Sequence, residues 1–166
     1  MDVFEKDVYF LNTELKLIKL TLNTAGNGPH QESIVPIPDQ KIEDFFLEAV
    51  TVNGAKSCKI TYITDKGVIK EYGANADPNK LLDCTKYTQN VNYWNKVVRI
   101  GKSLLVSAYN SQAKIHSLVL WDDEGGEALA LTTPSSRDWT LIQTRTTPSC
   151  ECLRSQVKSI RALLSC

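Results

Sequence analysis

The sequence predicts a mainly β protein: about eight to ten antiparallel strands in a sandwich or a barrel, closed by a C-terminal amphipathic α-helix. From residue 97 onward, short β-rich runs are separated by turn residues, and strands joined by short turns pair antiparallel. Near residue 148 the pattern changes, and apolar residues recur every three or four positions, which is typical of a helix.

The size and charge of the chain indicate one ordinary globular domain. The 166 residues are 42% hydrophobic and 23% charged, so we expect a single β-rich domain over 1–166. Nineteen acidic and nineteen basic side chains cancel, and a dedicated nucleic-acid binder usually carries a basic excess. Charges at Asp2, Glu5, Lys6 and Asp7 argue against a signal peptide, and no apolar run is long enough to span a membrane.

The cysteines favour a reducing compartment. Five are present, an odd number without the spacing of a disulfide framework, and the sequence contains no Asn-x-Ser/Thr site for glycosylation. We therefore expect an intracellular protein, cytoplasmic or nuclear.

The first half of the chain contains several strand patterns. In 14–22 the apolar phase changes near Leu17 and Ile18, which indicates a bulge or a strand buried on both faces. Turn formers predict a loop over 23–33, and two prolines suit an extended or edge segment over 34–40.

The next patterns predict hairpins. A strand over 46–52 should end at a turn formed by Asn53 and Gly54. The runs 58–64 and 68–72 should pair around the turn at 65–67, and 81–87 contains a short strand. No internal repeat is visible in the sequence.

The second half reads as a series of strands followed by a helix. The strand runs are 97–100, 103–109, 114–121, 127–132 and 139–145. Residues 118–121 are apolar on both faces, as expected for a central strand that is covered on both sides.

The helix is predicted at about 148–165, with Thr147 as N-cap and Pro148 in its first turn. Its apolar stripe either closes the core or forms a short seam for dimerisation; the stripe is Leu153, Val157, Ile160 and Leu164. A basic patch beside it either contacts an acidic partner or is a solvated face; the patch is Arg145, Arg154, Lys158 and Arg161. By architecture alone, this order of elements is similar to that of a pleckstrin-homology-like barrel, where a final helix plugs one end.

A second candidate surface lies in 84–96, where aromatic side chains stand among polar ones. Such rings offer a large contact area to a protein, a sugar or an unpaired base. The alternative is that Tyr93 and Trp94 fill the core from a loop. The candidate residues are Lys86, Tyr87, Tyr93, Trp94 and Lys96.

Signals for catalysis and metal binding are weak. The acidic turn that begins at Asp122 matches no calcium loop. His30 lies in a predicted loop, and His116 lies mid-strand with no nucleophile and base placed around it by spacing. We therefore expect no catalytic residue, no metal and no cofactor.

The resulting hypothesis is a non-enzymatic protein–protein interaction module, either a subunit of a larger assembly or a homo-oligomer. One alternative is a ligand-binding β-domain for a sugar or small molecule. The other is a nucleic-acid-binding module that uses the basic helix face and exposed aromatic rings.

Overall fold

A computed structural model describes residues 1–23, 28–39, 41–77, 79, 82–88 and 91–122, and the backbone of 128–134. The predicted helix at about 148–165 lies outside these residues, and so do the strand predicted at 139–145 and most of the acidic turn. The same holds for the predicted helix stripe and basic patch: Leu153, Val157, Ile160, Leu164, Arg145, Arg154, Lys158 and Arg161.

Twelve β-strands and one short 3-10 helix make up the described part of the chain. The 3-10 helix, Cys84–Tyr87, follows β8. The strands are β1 (Asp2–Phe4), β2 (Asp7–Leu11), β3 (Leu17–Thr21), β4 (Gln31–Ile34), β5 (Ile42–Val52), β6 (Ala55–Thr64), β7 (Val68–Gly73), β8 (Leu82–Asp83), β9 (Tyr93–Ile100), β10 (Ser103–Asn110), β11 (Ile115–Asp122) and β12 (Ala128–Pro134).

These strands form three antiparallel sheets of four strands each, and each sheet uses four consecutive strands in chain order. We call β1–β4 the first sheet, β5–β8 the middle sheet and β9–β12 the last sheet. Every pairing joins strands that follow one another in sequence, because short turns return the chain beside the strand it has just left. The topology is therefore a simple meander repeated three times.

The middle sheet is covered on both faces. Side chains alternate along β6, so Tyr62 and Ile63 point in opposite directions. Tyr62 belongs to a core with Tyr9 and Leu17 of the first sheet. Ile63 belongs to a second core with Val106 of the last sheet and other residues of both sheets. The three sheets thus form a stack, with one hydrophobic core at each of its two junctions.

The mainly β, antiparallel class is confirmed, whereas the barrel alternative is wrong for the described residues. Among the described strands, the first and the last strand of each sheet do not pair with each other, so each sheet is open. Hairpin spacing fixes which strands are neighbours but not whether a sheet closes on itself, so the sequence did not distinguish a sandwich from a barrel. The analogy to a pleckstrin-homology-like barrel has no support, and the described strands number twelve rather than eight to ten.

Several strand predictions are confirmed. The hairpin of 58–64 and 68–72 corresponds to β6 and β7. The strand predicted at 46–52 is the second part of β5, and it ends at Asn53 and Gly54 with φ values of 51° and 79°, as the predicted tight turn requires.

Other predictions were wrong in their bounds. The strand predicted from residue 14 begins at Leu17, because Asn12 Oδ1 accepts the N–H groups of Glu14 and Lys16 and holds a turn. Residues 31–33, predicted as loop, belong to β4. Most of the strand predicted at 81–87 is the 3-10 helix.

Two strands, β3 and β11, had patterns that suggested burial on both faces, and the structure shows such burial in only one of them. In β3, Leu17 and Ile18 are both buried, so that strand is covered on both faces at this point. In β11 only one face is buried at Val119, while Leu118 and Leu120 are half-buried. Within the described residues, no helix is long and apolar enough to cross a membrane.

Candidate functional site

The face of the first sheet that is turned away from the middle sheet is strongly apolar. In the strand register, Val8 lies opposite both Val3 and Leu20, and Ile18 lies opposite both Phe10 and Ile34. Side chains opposite one another point to the same face of a sheet. We call this surface the outer face of the first sheet; it comprises Val3, Val8, Phe10, Ile18, Leu20, Ile34 and the single charged residue Glu32.

This outer face is partly open to solvent. Ile34 is 60% exposed and Val3 is 51% exposed, and both are among the few large hydrophobic side chains of the described residues that are exposed. Val8, Phe10 and Leu20 are half-buried, and Ile18, which lies between Phe10 and Ile34, is buried with 3% of its surface exposed. Large contiguous apolar patches are rare on the surfaces of monomeric proteins, and those that occur usually mark a contact site.

The opposite face of the same sheet provides an internal comparison. It packs against the middle sheet through Tyr9 and Leu17, yet it also carries Asp2, Asp7 and Lys19. The outer face, with one charged residue among seven, is thus more apolar than the face that already lies in a core. A composition of this kind is expected of a face that is covered by another element.

A second surface feature is an aromatic row on the last sheet. Tyr93, Tyr109 and His116 lie directly opposite one another on β9, β10 and β11. The rings of Tyr109 and His116 are 4.6 Å apart between centroids and tilted by 30°, and Tyr93 is 53% exposed. The row offers three adjacent rings at one end of the sheet.

The five residues predicted as a binding surface do not come together. Trp94 is only 4% exposed and lies in the core between the middle and last sheets, because alternation along β9 turns it away from Tyr93. The ring of Tyr87 lies near that of Trp121, with 6.1 Å between the two ring centroids. Lys96 forms an ion pair with Asp44 at 3.3 Å, and Lys86 is exposed. A binding role for these residues stays a prediction.

Sequence reasoning missed the outer face of the first sheet. The signal was available in 7–11, where Val8 and Phe10 alternate with Asp7, Tyr9 and Leu11, but the charges near the N-terminus were weighed only against a signal peptide. It also missed Tyr109 as the neighbour of His116, because that contact depends on the register of β10 and β11.

Charged side chains at the junction of the middle and last sheets neutralise one another. Lys59 Nζ lies 3.1 Å from Glu48 and 3.2 Å from Glu71, and Arg99 Nε lies 2.6 Å from Glu48 Oε1. Such internal pairs hold their partners in fixed positions. They leave these two carboxylates committed to structural contacts rather than available for acid–base chemistry.

A cleft of about 540 Å³ lies along the segment between β4 and β5, lined by Lys16, Pro36, Ile37 and Lys41 among others. The nearby Asp39 receives hydrogen bonds of 2.6 Å from both Tyr62 Oη and Lys70 Nζ. Burial would raise the pKa of Asp39, but these two hydrogen bonds and the charge of Lys70 outweigh it and lower the pKa. Asp39 therefore ties this segment to the middle sheet as a carboxylate.

The two thiols that the structure describes are held in their protonated form by burial. Burial, followed by the charges of nearby carboxylates, raises the pKa of Cys58 to about 11, and burial with Asp83 raises that of Cys84 to about 12. His30 Nδ1 accepts the N–H of Asn23 in a 3.1 Å contact. Among the residues whose positions are described, no three His, Cys, Asp or Glu side chains are grouped to hold a metal ion.

Comparison of the chain with known protein families, with curated proteins and with solved structures gives no match.

Proposed function

We propose that the protein is a non-enzymatic protein-interaction module whose contact surface is the outer face of the first sheet. The observation that carries the proposal is the register of β1–β4, which gathers six apolar side chains and one glutamate on that face. Two of the six, Val3 and Ile34, are more than half exposed.

A partner that covers this surface would be bound by the hydrophobic effect. Removing apolar area from water contributes about 25 cal/mol per Å², so a partner that covers this face gains stability from each side chain it buries. The face is built on strands rather than on a loop, and it is therefore rigid before binding. Less conformational entropy is lost when a rigid surface forms a complex.

A photo-crosslinking residue placed at position 34 tests this function in cells. We expect discrete covalent adducts from position 34, because Ile34 lies on the proposed contact face. The matched control is position 33, since Ser33 is the preceding exposed residue of β4 and points to the opposite face. Adducts of equal yield from both positions, or from neither, would contradict the proposal.

The aromatic row favours a second candidate, a ligand-binding β-domain for a sugar. Tyr93, Tyr109 and His116 present adjacent rings of the type on which sugar rings pack. A glycan panel should then give binding that Tyr93→Ala abolishes without a change in melting temperature, since Tyr93 is exposed. Absence of binding across the panel would remove this candidate.

The nucleic-acid alternative rests on a basic helix face together with Tyr87 and Tyr93. The basic residues Arg154, Lys158 and Arg161 lie outside the part of the chain that the structure describes, so no described contact supports this alternative.

A further inference from the structure

The segment between β4 and β5 forms one wall of the cleft described above, and hydrogen bonds fix this segment at both ends. Val35 N–H donates to the carbonyl oxygen of Leu17 at 2.9 Å, and Ile42 N–H donates to that of Leu15 at 2.8 Å. Between these ends, the carboxylate of Asp39 is hydrogen-bonded to the middle sheet. The wall is thus held in place before a partner arrives, and filling a preformed cleft costs little conformational entropy.

A residue in an unfavourable backbone conformation lies beside the opposite wall. Leu15, between the lining residues Glu14 and Lys16, has a φ of 60°, a left-handed conformation that bulky residues rarely adopt. Its carbonyl group is the one that accepts the N–H of Ile42. Strained backbone of this kind clusters at binding sites, where the surrounding structure holds it. The strain therefore points to the same cleft as the fixed wall does.

The charged side chains that line the cleft already have partners of opposite charge. Glu14 and Lys16 form an ion pair at 2.9 Å, and Asp39 forms one with Lys70 at 2.6 Å. The remaining lining charge, on Lys41, interacts with a carboxyl group of β5. A charged ligand would meet like charges as well as opposite ones, and like charges brought together are costly. The lining therefore favours an uncharged occupant.

The apolar part of the lining suits an aromatic ring. Pro36 and Pro38 line the cleft and are exposed, whereas Val35 and Ile37 are half-buried beside the first core. Proline side chains pack well on aromatic rings, as in the aromatic-lined grooves that bind proline-rich segments. The volume of about 540 Å³ lies within the range of about 300–1,000 Å³ that is typical of ligand pockets.

The cleft is continuous with the outer face of the first sheet. Ile34 belongs to that face by its register opposite Ile18, and it also lines the cleft. Because 60% of Ile34 is exposed, a protein that contacts its side chain reaches the mouth of the cleft. Protein interfaces are often anchored by one aromatic side chain that fills a pocket, most often tryptophan or tyrosine.

We propose that this cleft is the anchor pocket for the interaction partner and that it takes a tryptophan or tyrosine side chain of that protein. The inference rests on the proposed function, because the anchoring side chain belongs to the protein that contacts the outer face of the first sheet. It adds the chemistry of the partner, which the outer face by itself does not specify.

Nuclear magnetic resonance with side-chain analogues tests the pocket directly. N-acetyl-tryptophanamide should give saturable shifts in the amide signals of Val35, Ile37 and Lys41. The amide of Lys56, an exposed residue at the far end of β6, should not shift. N-acetyl-alaninamide has the same backbone groups without the ring and should give no saturable shift. Absence of saturable shifts with the tryptophan analogue, or equal shifts with both analogues, overturns the proposal.

A charge placed in the cleft tests which side chains form the pocket. Pro38→Asp should weaken binding of N-acetyl-tryptophanamide by about tenfold or more, because an unpaired carboxylate would be covered by the ring. The matched control is Gln31→Asp, at an exposed position of β4 outside the cleft, and it should bind like the wild type. Both positions are exposed, so both variants should keep the wild-type circular dichroism spectrum. Equal affinities in the two variants overturn the proposal.

A photo-crosslinking residue at position 41 separates failure of this proposal from failure of the proposed function. Lys41 is exposed and lines the cleft, so positions 34 and 41 should give adducts with the same protein. Adducts from position 34 with none from position 41 would overturn the anchor pocket and leave the interaction function standing. Absence of adducts from position 34 would overturn both.

Discussion

At the scale of single residues, the contact between Gly67 and Trp94 shows why two positions distant in sequence are coupled. Gly67 has a φ of 74°, and a Cβ atom built on it would lie 2.2 Å from the Trp94 ring. The turn between β6 and β7 therefore needs glycine for two reasons: its backbone conformation and the space that the indole occupies. Only the first reason is visible in the sequence.

Replacing Gly67 with Ala should destabilise the protein more than replacing Gly54 with Ala. Gly54 has a similar φ of 79° but nothing within 4 Å of its Cβ position, so it isolates the backbone cost of about 1–2 kcal/mol. Gly67→Ala adds displacement of the Trp94 ring. Urea unfolding followed by tryptophan fluorescence measures both, and equal losses would show that the indole moves aside freely.

The phenol of Tyr9 and the thiol of Cys58 predict that the protein loses stability at alkaline pH. Burial, with the charges of Cys58 and Asp7, raises the pKa of Tyr9 from 10.0 to about 12, and the pKa of Cys58 rises from 9.0 to about 11. Between the ordinary and the raised pKa of each group, the folded state holds more protons than the unfolded state. The stability that these two groups contribute is therefore complete below pH 9 and is lost as the pH rises toward 12.

The measurement is the free energy of unfolding in urea as a function of pH. We expect it to decline from about pH 9, where thiols of ordinary pKa begin to ionise in the unfolded chain. Cys58→Ser should make the first part of the decline shallower, because serine does not titrate there. A free energy that stays constant to pH 12 would show that these groups have ordinary pKa values in the folded protein.

At the scale of elements, the edge strand β9 depends on a carboxylate from another sheet. The N–H groups on the outer side of an edge strand have no ladder partner, and a buried N–H without a partner is costly. Asp44 is buried and accepts the N–H of Val97, while Lys96 lies 3.3 Å from its other oxygen. One aspartate thus joins two sheets through a backbone contact and an ion pair.

Asp44→Ala should therefore cost about 1–3 kcal/mol, because it leaves the buried N–H of Val97 without an acceptor. Asp44→Asn keeps an acceptor oxygen of the same reach, and it should recover part of the loss. Thermal unfolding of both variants against the wild type gives the comparison. If Asn and Ala variants are equally unstable, the charge rather than the hydrogen bond holds the junction.

The sequence predicted well those strands that end at a turn with characteristic turn residues. Asn53 and Gly54 fixed the end of β5, whereas the turn at Glu5 has a φ of 54° without glycine or asparagine to announce it. The hairpin of β1 and β2 was missed for that reason. For the aromatic segment, composition did not distinguish Trp94, which is buried, from Tyr93, which is exposed, because alternation along β9 decides which ring reaches a surface.

At the scale of the whole molecule, the middle sheet makes the described cores interdependent. Successive residues of β6 contribute to different cores, so damage to this one strand reaches both junctions. Proteins whose parts share a core unfold together rather than one sheet at a time. We therefore expect a single cooperative transition.

Ile63→Ala should lower the free energy of unfolding by about 2–5 kcal/mol, the usual cost of truncating a fully buried isoleucine. Lys56→Ala, at an exposed position of the same strand, should change it by less than about 0.5 kcal/mol. Tryptophan fluorescence and far-ultraviolet circular dichroism should report the same midpoint for each chain. Two separate transitions would show that the sheets unfold independently.

The sequence by itself determined the class of the protein, the antiparallel pairing of neighbouring strands and the best-marked turns. These depend on the period of apolar residues and on local backbone preferences, which act over a few positions. Tertiary structure alone decided the grouping of twelve strands into three stacked sheets, the burial of Trp94 and the exposure of Val3 and Ile34 on the first sheet's outer face. Each of these depends on which sheet covers which face, and a two-residue period shows that a strand has two faces without showing what each face meets.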